Sequence, residues 1–272
     1  MRADQVLAII PAYNEASRIN AVILALKDHG YAVLVVDDGS RDDTARVAAD
    51  SGAVVVRQAN GGKGAAMRLG CAWAARAGYR RVLLLDGDGQ HDPAEAGRLL
   101  AAAQRSGAEV VIGKRTLLPA RQPLYRRCFN RLSSLLVTLA AGHGIRDSQS
   151  GYRLLDPVLL LRLPLQGRRY DLESEFCILA CRAGVRLVEV PITVIYLDKR
   201  SGVHPLWDTL RFFYAVGMAV VHVRSRLRRF RPERWPQVRP LPVALPTRIA
   251  TGASTLDSAT SGRRETSRTA FG

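Results

Sequence analysis

Short aliphatic runs that end in polar, often acidic, clusters constrain this chain more than any other feature. Val6–Ile10, Val33–Asp37, Ala53–Arg57, Val82–Leu85 and Val110–Ile112 read as strands. Between them, Ser17–Asp28, Thr44–Ala49, Lys63–Ala77 and Pro93–Arg105 carry helix-compatible apolar spacing. Strands alternating with crossover helices predict an α/β chain with a mostly parallel sheet covered by helices on both faces. In such sheets ligands sit beyond the C-terminal ends of the strands. Pro11–Glu15, Asp37–Ser40 and Asp86–His91 each follow a strand, so the candidate chemistry falls on one edge.

Asp86-Gly87-Asp88-Gly89-Gln90 is the clearest chemical feature. Two carboxylates one residue apart at a strand end suit a hard divalent cation such as Mg²⁺ or Mn²⁺, which keeps positions for diphosphate oxygens. The same residues also serve a plain turn. Asp37-Asp38-Gly39-Ser40, with Asp43-Thr44, offers a carboxylate to a base edge or ribose hydroxyl, and is equally a turn followed by a helix N-cap. Gly61-Gly62-Lys63-Gly64 opens an Ala-rich helix, where a helix N-terminus and Lys63 together favour an anion. It lacks the spacer and Lys-Ser/Thr pair of a Walker A loop, and a simple helix-start turn is the alternative.

Further along, Leu117 to Gly144 reads as a loop into an amphipathic helix carrying Arg121, Arg126, Arg127 and Arg131. Asp147–Leu154 and Val188–Tyr196 read as strand segments, and Arg168–Arg182 as helical in its second half. Residues 1–204 form the expected single α/β domain. Residues 205–230 form an apolar and aromatic segment with a basic end, and 231–272 a Pro/Ser/Thr/Arg-rich tail expected to be disordered.

The net charge of +16 is concentrated late: from Arg224 onward there are eleven Arg against three acids, a net of +8. No recognition helix, zinc finger or RNA-binding aromatic pattern accompanies it, so nucleic acid is not the expected partner. Phosphorylated small molecules and acidic lipid headgroups fit better. The four cysteines lack the spacing of a zinc site, and Cys177 and Cys181 fall one turn apart on a helix face read as buried. With no leader ahead of the first strand, the expected location is the cytosol. The most apolar late stretch, Phe212 to Val223, is too short for a bilayer needing about 20 residues.

Taken in order, these segments resemble the family 2 glycosyltransferases, and among them the polyprenyl-phosphate sugar synthases similar to dolichyl-phosphate mannosyltransferase. The resemblance rests on residues 9–15, 35–40 with 43–44, 62–64, 86–93, 113–115, 147–153 and 189–192. It implies a GT-A fold, a GDP- or UDP-hexose donor, a polyprenyl phosphate acceptor, inversion at the anomeric carbon and a Mg²⁺ or Mn²⁺ cofactor. It further implies that Pro11, Tyr13, Glu15 and Asp37 meet base and ribose, and that Asp38 reaches ribose or diphosphate. Asp86, Asp88 and Gln90 match the metal and diphosphate positions. Arg115 matches a phosphate-facing position, as does one of Arg126, Arg127 or Arg131. A lipid phosphate is already ionised at neutral pH, so a strong base is less needed. For a hydroxyl acceptor, Glu173 or Glu175 is the candidate base, and an N-terminal helix charge is the alternative. Trp207, Leu210, Phe212, Phe213 and Val216 followed by Arg224, Arg226, Arg228, Arg229 and Arg231 resemble an interfacial anchor on an anionic cytoplasmic leaflet. A packed helix with a solvated basic end is the other reading. His204, in a loop with altered spacing relative to the family, either covers the donor or is a surface residue.

Overall fold

The computed structural model describes residues 5–115, 124–167, 171–193, 195, 217 and 221, with backbone alone over 124–130. The chain runs β1 (Val6–Ala12), α1 (Ile19–Asp28), β2 (Ala32–Asp37), α2 (Thr44–Asp50), β3 (Val54–Arg57), α3 (Lys63–Arg76) and β4 (Arg81–Leu84). It continues through a 3₁₀ turn (Pro93–Glu95), α4 (Ala96–Ser106), β5 (Val110–Arg115), α5 (Leu124–Ala141), β6 (Arg153–Leu155), α6 (Pro157–Arg162), α7 (Asp171–Arg182) and β7 (Leu187–Ile192). The seven strands form one sheet in the order β3-β2-β1-β4-β6-β5-β7. All pairings are parallel except those of β6, which runs antiparallel to both neighbours.

The aliphatic runs mark strands covered twice. Leu7 and Ile9 of β1, Leu34 and Val36 of β2, and Val82 and Leu84 of β4 point into one core with Met67 and Cys71 of α3 and Phe176 of α7. Their alternates Val6, Ala8, Ile10, Val33, Val35 and Leu83 point into a second core with Ile19, Ile23 and Leu26 of α1 and Leu99 of α4. Side chains alternate across a strand, so a strand buried on both faces reads as an unbroken apolar run. The Ala- and Gly-rich α3 lies close on β1: a Cβ on Gly70 would come within 2.6 Å of Ile9 Cγ2.

Two late expectations need correction. Of the expected 147–154 strand only Arg153 and Leu154 are strand, in a β6 that runs on to Leu155, and the residues before them form a loop. Helix α7 begins at Asp171, not halfway along; Leu172 packs into the core, and Glu173, Ser174 and Glu175 are buried beside it. Cys71 and Cys177 are buried free thiols and Cys181 is half-buried. The 205–230 segment apart from Gly217 and Val221, the 231–272 tail, His204 and the side chains of Arg126 and Arg127 lie outside the described residues.

Candidate active site

The parallel strands deliver their following loops to one edge. After β1, Asn14 adopts φ 55°, a left-handed conformation that Asn tolerates better than most side chains. Its amide donates to Ser40 Oγ at 3.0 Å, and its side-chain oxygen accepts from the Arg41 amide at 2.8 Å. The Glu15 amide donates to Thr44 Oγ1 at 2.8 Å. The first and second loops are therefore latched together. Tyr13, 42% exposed, stands open to solvent beside half-buried Pro11. Asp37 is fully buried; it accepts from the Ser40 amide at 3.0 Å and pairs with Arg57 Nε at 3.0 Å.

Asp38 is engaged with its own chain. Its two oxygens accept from Gln58 Nε2 at 2.7 Å and from the amides of Gly61 and Gly62 at 2.8 Å each. Sequence resemblance has Asp38 reaching a ligand; in the structure it shapes the turn that starts α3. That turn aims Lys63 at two carboxylates. Its Nζ lies 2.5 Å from Asp86 Oδ1 and 2.8 Å from Glu173 Oε1. Burial opposes the charge on Asp86, but Lys63 and then His91 outweigh it and hold the carboxyl far below the usual range. Burial likewise opposes the Lys63 charge, and Asp86 and Glu173 outweigh it, so its pKa rises. His91, buried against Tyr152 with ring centroids 5.2 Å apart, places Nε2 3.7 Å from Asp86 Oδ2.

Strand β6 is what brings the rest of the site to this edge. Because it runs antiparallel, its first residue, Arg153, lies level with Leu84 at the end of β4 and with Ile112 midway along β5. The loop before it therefore emerges beside Asp86. Arg153 is fully buried and donates to the carbonyls of Ser148, Ser150 and Glu173, at 2.7, 2.7 and 3.0 Å. It pins the 148–151 loop to α7. Gly151 leaves room for the pair: a Cβ there would sit 2.6 Å from Asp86 Oδ2 and 2.9 Å from Lys63 Nζ, so both side chains would have to move. Asp88, on the same strand-end turn as Asp86, accepts from the Gln90 amide at 3.1 Å. Arg115 closes the site at the end of β5 through a two-pronged pair with Asp147, Nε–Oδ2 and Nη2–Oδ1 both 2.8 Å. Burial opposes its charge, while Asp147, then Glu173 and Asp86, raise its pKa.

The sequence model of glycosyl transferase family 2 matches residues 7–157. The chain belongs to that family. It is 32% identical over 233 residues to the undecaprenyl-phosphate mannosyltransferase of Micrococcus luteus, covering 80% of this chain and 92% of that one. It is 30% identical over 221 residues to the UDP-N-acetylglucosamine–dolichyl-phosphate N-acetylglucosaminyltransferase of Methanococcus voltae, covering 72% and 88%. Among solved structures, glucosyl-3-phosphoglycerate synthase from Mycobacterium tuberculosis, in complex with Mn²⁺, UDP-glucose and phosphoglyceric acid, superposes with TM-score 0.65 at 19% identity. That match covers 79% of each chain, and at this identity it establishes the fold, GT-A.

Of the residues picked out from sequence, Lys63 and Asp86 meet directly, and Arg115 lies within their electrostatic reach. Arg131 is exposed on α5. Glu175 accepts from the amides of Gln166 and Gly167 at 2.9 and 2.7 Å and so organises the turn before α7. Among the described residues, no group of three or more His, Cys, Asp or Glu side chains forms a metal cluster. The sequence pattern alone assigns no individual role to Asp147, Gly151, Arg153 or Glu189. The 147–153 motif is visible in it, but as a strand segment, which conceals the loop that brings these residues to the site.

Proposed function

We propose that this enzyme transfers a hexose from a nucleotide diphosphate sugar to a polyprenyl phosphate, with inversion, at the cytoplasmic face of a membrane. The observation that carries the reading is the convergence of Lys63, Asp86, Glu173 and Arg115 where separate chain segments meet. Fixed charges of both signs suit a reaction that brings two phosphate groups together. The named acceptors of the Micrococcus and Methanococcus relatives, both polyprenyl-type phosphates, support the acceptor class.

Asp86, Asp88 and Gln90 fit a divalent cation. They supply two carboxylates and an amide oxygen, all at least partly open to solvent, which suits a Mg²⁺ or Mn²⁺ ion that completes its shell with water and diphosphate oxygens. When bound, such an ion offsets charge developing on the departing nucleotide diphosphate. The protein's own part is to orient and to keep charge in place. Pro11, Tyr13, Glu15 and Asp37 border the nucleoside pocket in this reading, and Asp38 shapes its floor through the Gly61–Gly62 turn. Lys63 and Arg115 hold positive charge beside the diphosphate, and Arg131 meets the acceptor phosphate. The acceptor oxygen attacks as an anion, so no side chain must take its proton. Glu173 at Lys63 and Glu175 at two backbone amides are both engaged in holding structure.

The test is a panel of labelled GDP-mannose, UDP-glucose and UDP-N-acetylglucosamine with Mg²⁺ or Mn²⁺ and undecaprenyl phosphate. Organic-phase product from one donor, with the anomeric configuration inverted, is expected. Donor hydrolysis alone, or product confined to the aqueous phase, overturns the lipid acceptor.

Peripheral membrane contact has support on α5. Leu132, Leu135 and Leu139, 47%, 54% and 66% exposed, fall at i, i+3 and i+7 beside Arg131, while Ser133, Ser134 and Val137 face inward. No described helix is long and apolar enough to cross a membrane. Leu135→Ser combined with Leu139→Ser is expected to lower sedimentation with phosphatidylglycerol vesicles several-fold without changing the melting temperature. Unchanged sedimentation removes α5 from the membrane contact.

A further inference from the structure

The carboxylate of Asp147 is heavily used, and nothing in the proposed reaction accounts for it. It takes three hydrogen bonds from one residue: the Arg115 backbone amide at 3.0 Å, Nε at 2.8 Å and Nη2 at 2.8 Å. The same carboxylate thus fixes both the root and the tip of the Arg115 side chain. A freely hinged arginine samples many rotamers; this one is held in a single fork geometry. Its Nη1 has no partner among the described residues, and its side chain keeps 25% exposure. Asp86 and Glu173 are close enough to add to the stabilisation of its charge.

Asp147 is itself held from behind. Its amide and that of Arg146 both donate to Glu189 Oε1 on β7, at 2.8 and 2.9 Å. Its carbonyl accepts from the Ser150 amide, and Ser150 Oγ donates to the Gly113 carbonyl on β5 at 2.6 Å. The loop is therefore tied to β5 and β7 by bonds that do not involve the Asp147 side chain. If the loop's anchoring were the only need, the carboxylate would be redundant.

We infer that Asp147 is a positioning residue: it locks the Arg115 guanidinium so that its unbonded edge, Nη1, is presented to phosphate oxygens in a fixed place. This rests on the reading that Arg115 meets phosphate. An arginine held in advance loses little freedom when the anion forms, so its stabilisation falls on the transition state more than on ground-state binding. The loss on removing Asp147 then belongs in kcat, with the donor KM nearly unchanged.

The experiment is steady-state transfer to undecaprenyl phosphate, with whichever donor of the panel gives organic-phase product, for R115A, D147N, D147E and R115A/D147N. R115A is expected to lower kcat by on the order of 10³-fold. D147N is expected to lower it by about 10²-fold at similar donor KM, since an amide cannot accept the whole fork. D147E, which keeps the charge, recovers part of that loss. The double variant is no slower than R115A alone, because Asp147 acts only through Arg115. Should D147N fail to fold, R115A/D147E carries the same comparison. Normal turnover by R115A removes Arg115 from the phosphate, and this inference falls with that reading. A slow R115A beside a normal D147N, or losses that multiply in the double variant, overturns the inference alone.

Discussion

Asp88→Asn is expected to lower transfer by on the order of 10³-fold while leaving the fold intact. The structure explains why the two effects separate. The only hydrogen bond made by the Asp88 side chain among the described residues is acceptance at Oδ1 from the Gln90 amide, at 3.1 Å. Asparagine retains that carbonyl oxygen and the turn it closes, and it has almost the same shape. What disappears is one negative charge at a half-buried strand end. If that charge helps hold a divalent cation against a diphosphate, its loss weakens cation binding and the stabilisation of the leaving group together. Two measurements check this: turnover at saturating donor, and Mn²⁺ binding followed by electron paramagnetic resonance. An unimpaired kcat removes the Asp86–Asp88 pair from the mechanism. A lost kcat with a lowered melting temperature points instead to a role in the turn.

The parts of this fold that are legible in the sequence are those whose physics is local. β1, β2 and β4 are buried on both faces, so Val, Ile, Leu and Ala follow one another without polar breaks and mark strands directly. The acidic and glycine-containing segments that follow β2, β3 and β4 stand where ligand edges are expected, which is why Lys63 and Asp86 stand out from the amino-acid sequence alone. What stays hidden depends on contacts between distant segments. β6 is only three residues long, and no periodicity in three residues reveals that it enters the sheet against its neighbours. That reversal is what carries Asp147 and Gly151 to the site. In α7, the sequence Asp171-Leu172-Glu173-Ser174-Glu175 looks too polar to be interior. It is interior because Glu173 meets Lys63 and Glu175 meets the 166–167 amides, partners 110 and 8 or 9 residues away. Asp38 shows a use the motif does not reveal: marked as a ligand contact, it also accepts from the loop that sets Lys63.

Lys63→Met tests whether that central ion pairing is structural, catalytic or both, and it is expected to damage stability and transfer alike. Lys63 is the cation between Asp86 and a Glu173 side chain that is only 2% exposed. Removing one member of a buried ion pair leaves uncompensated charge and costs about 3–5 kcal/mol; Asp86, 30% exposed, shares its charge with solvent, so about 2–3 kcal/mol is the expected loss. The pH dependence carries more information. In the native enzyme the folded-state pKa of Asp86 lies below its unfolded value near 3.9, because Lys63 and His91 outweigh burial. A lowered carboxylate pKa contributes stability that is fully present above the unfolded value and is lost only as the pH falls below it. From pH 8 to pH 5 this contribution is constant in the native enzyme. Without Lys63 only His91 still opposes the burial of Asp86, and its folded-state pKa moves upward. A raised carboxylate pKa reverses the sign: its stability is fully present below the unfolded value and is lost as the pH rises through the folded one. The gap between native enzyme and variant is therefore widest near pH 8 and narrows toward pH 5, in urea titrations run with EDTA. A gap that stays the same across that range shows that Asp86 keeps its charge there without Lys63, His91 being enough to hold it.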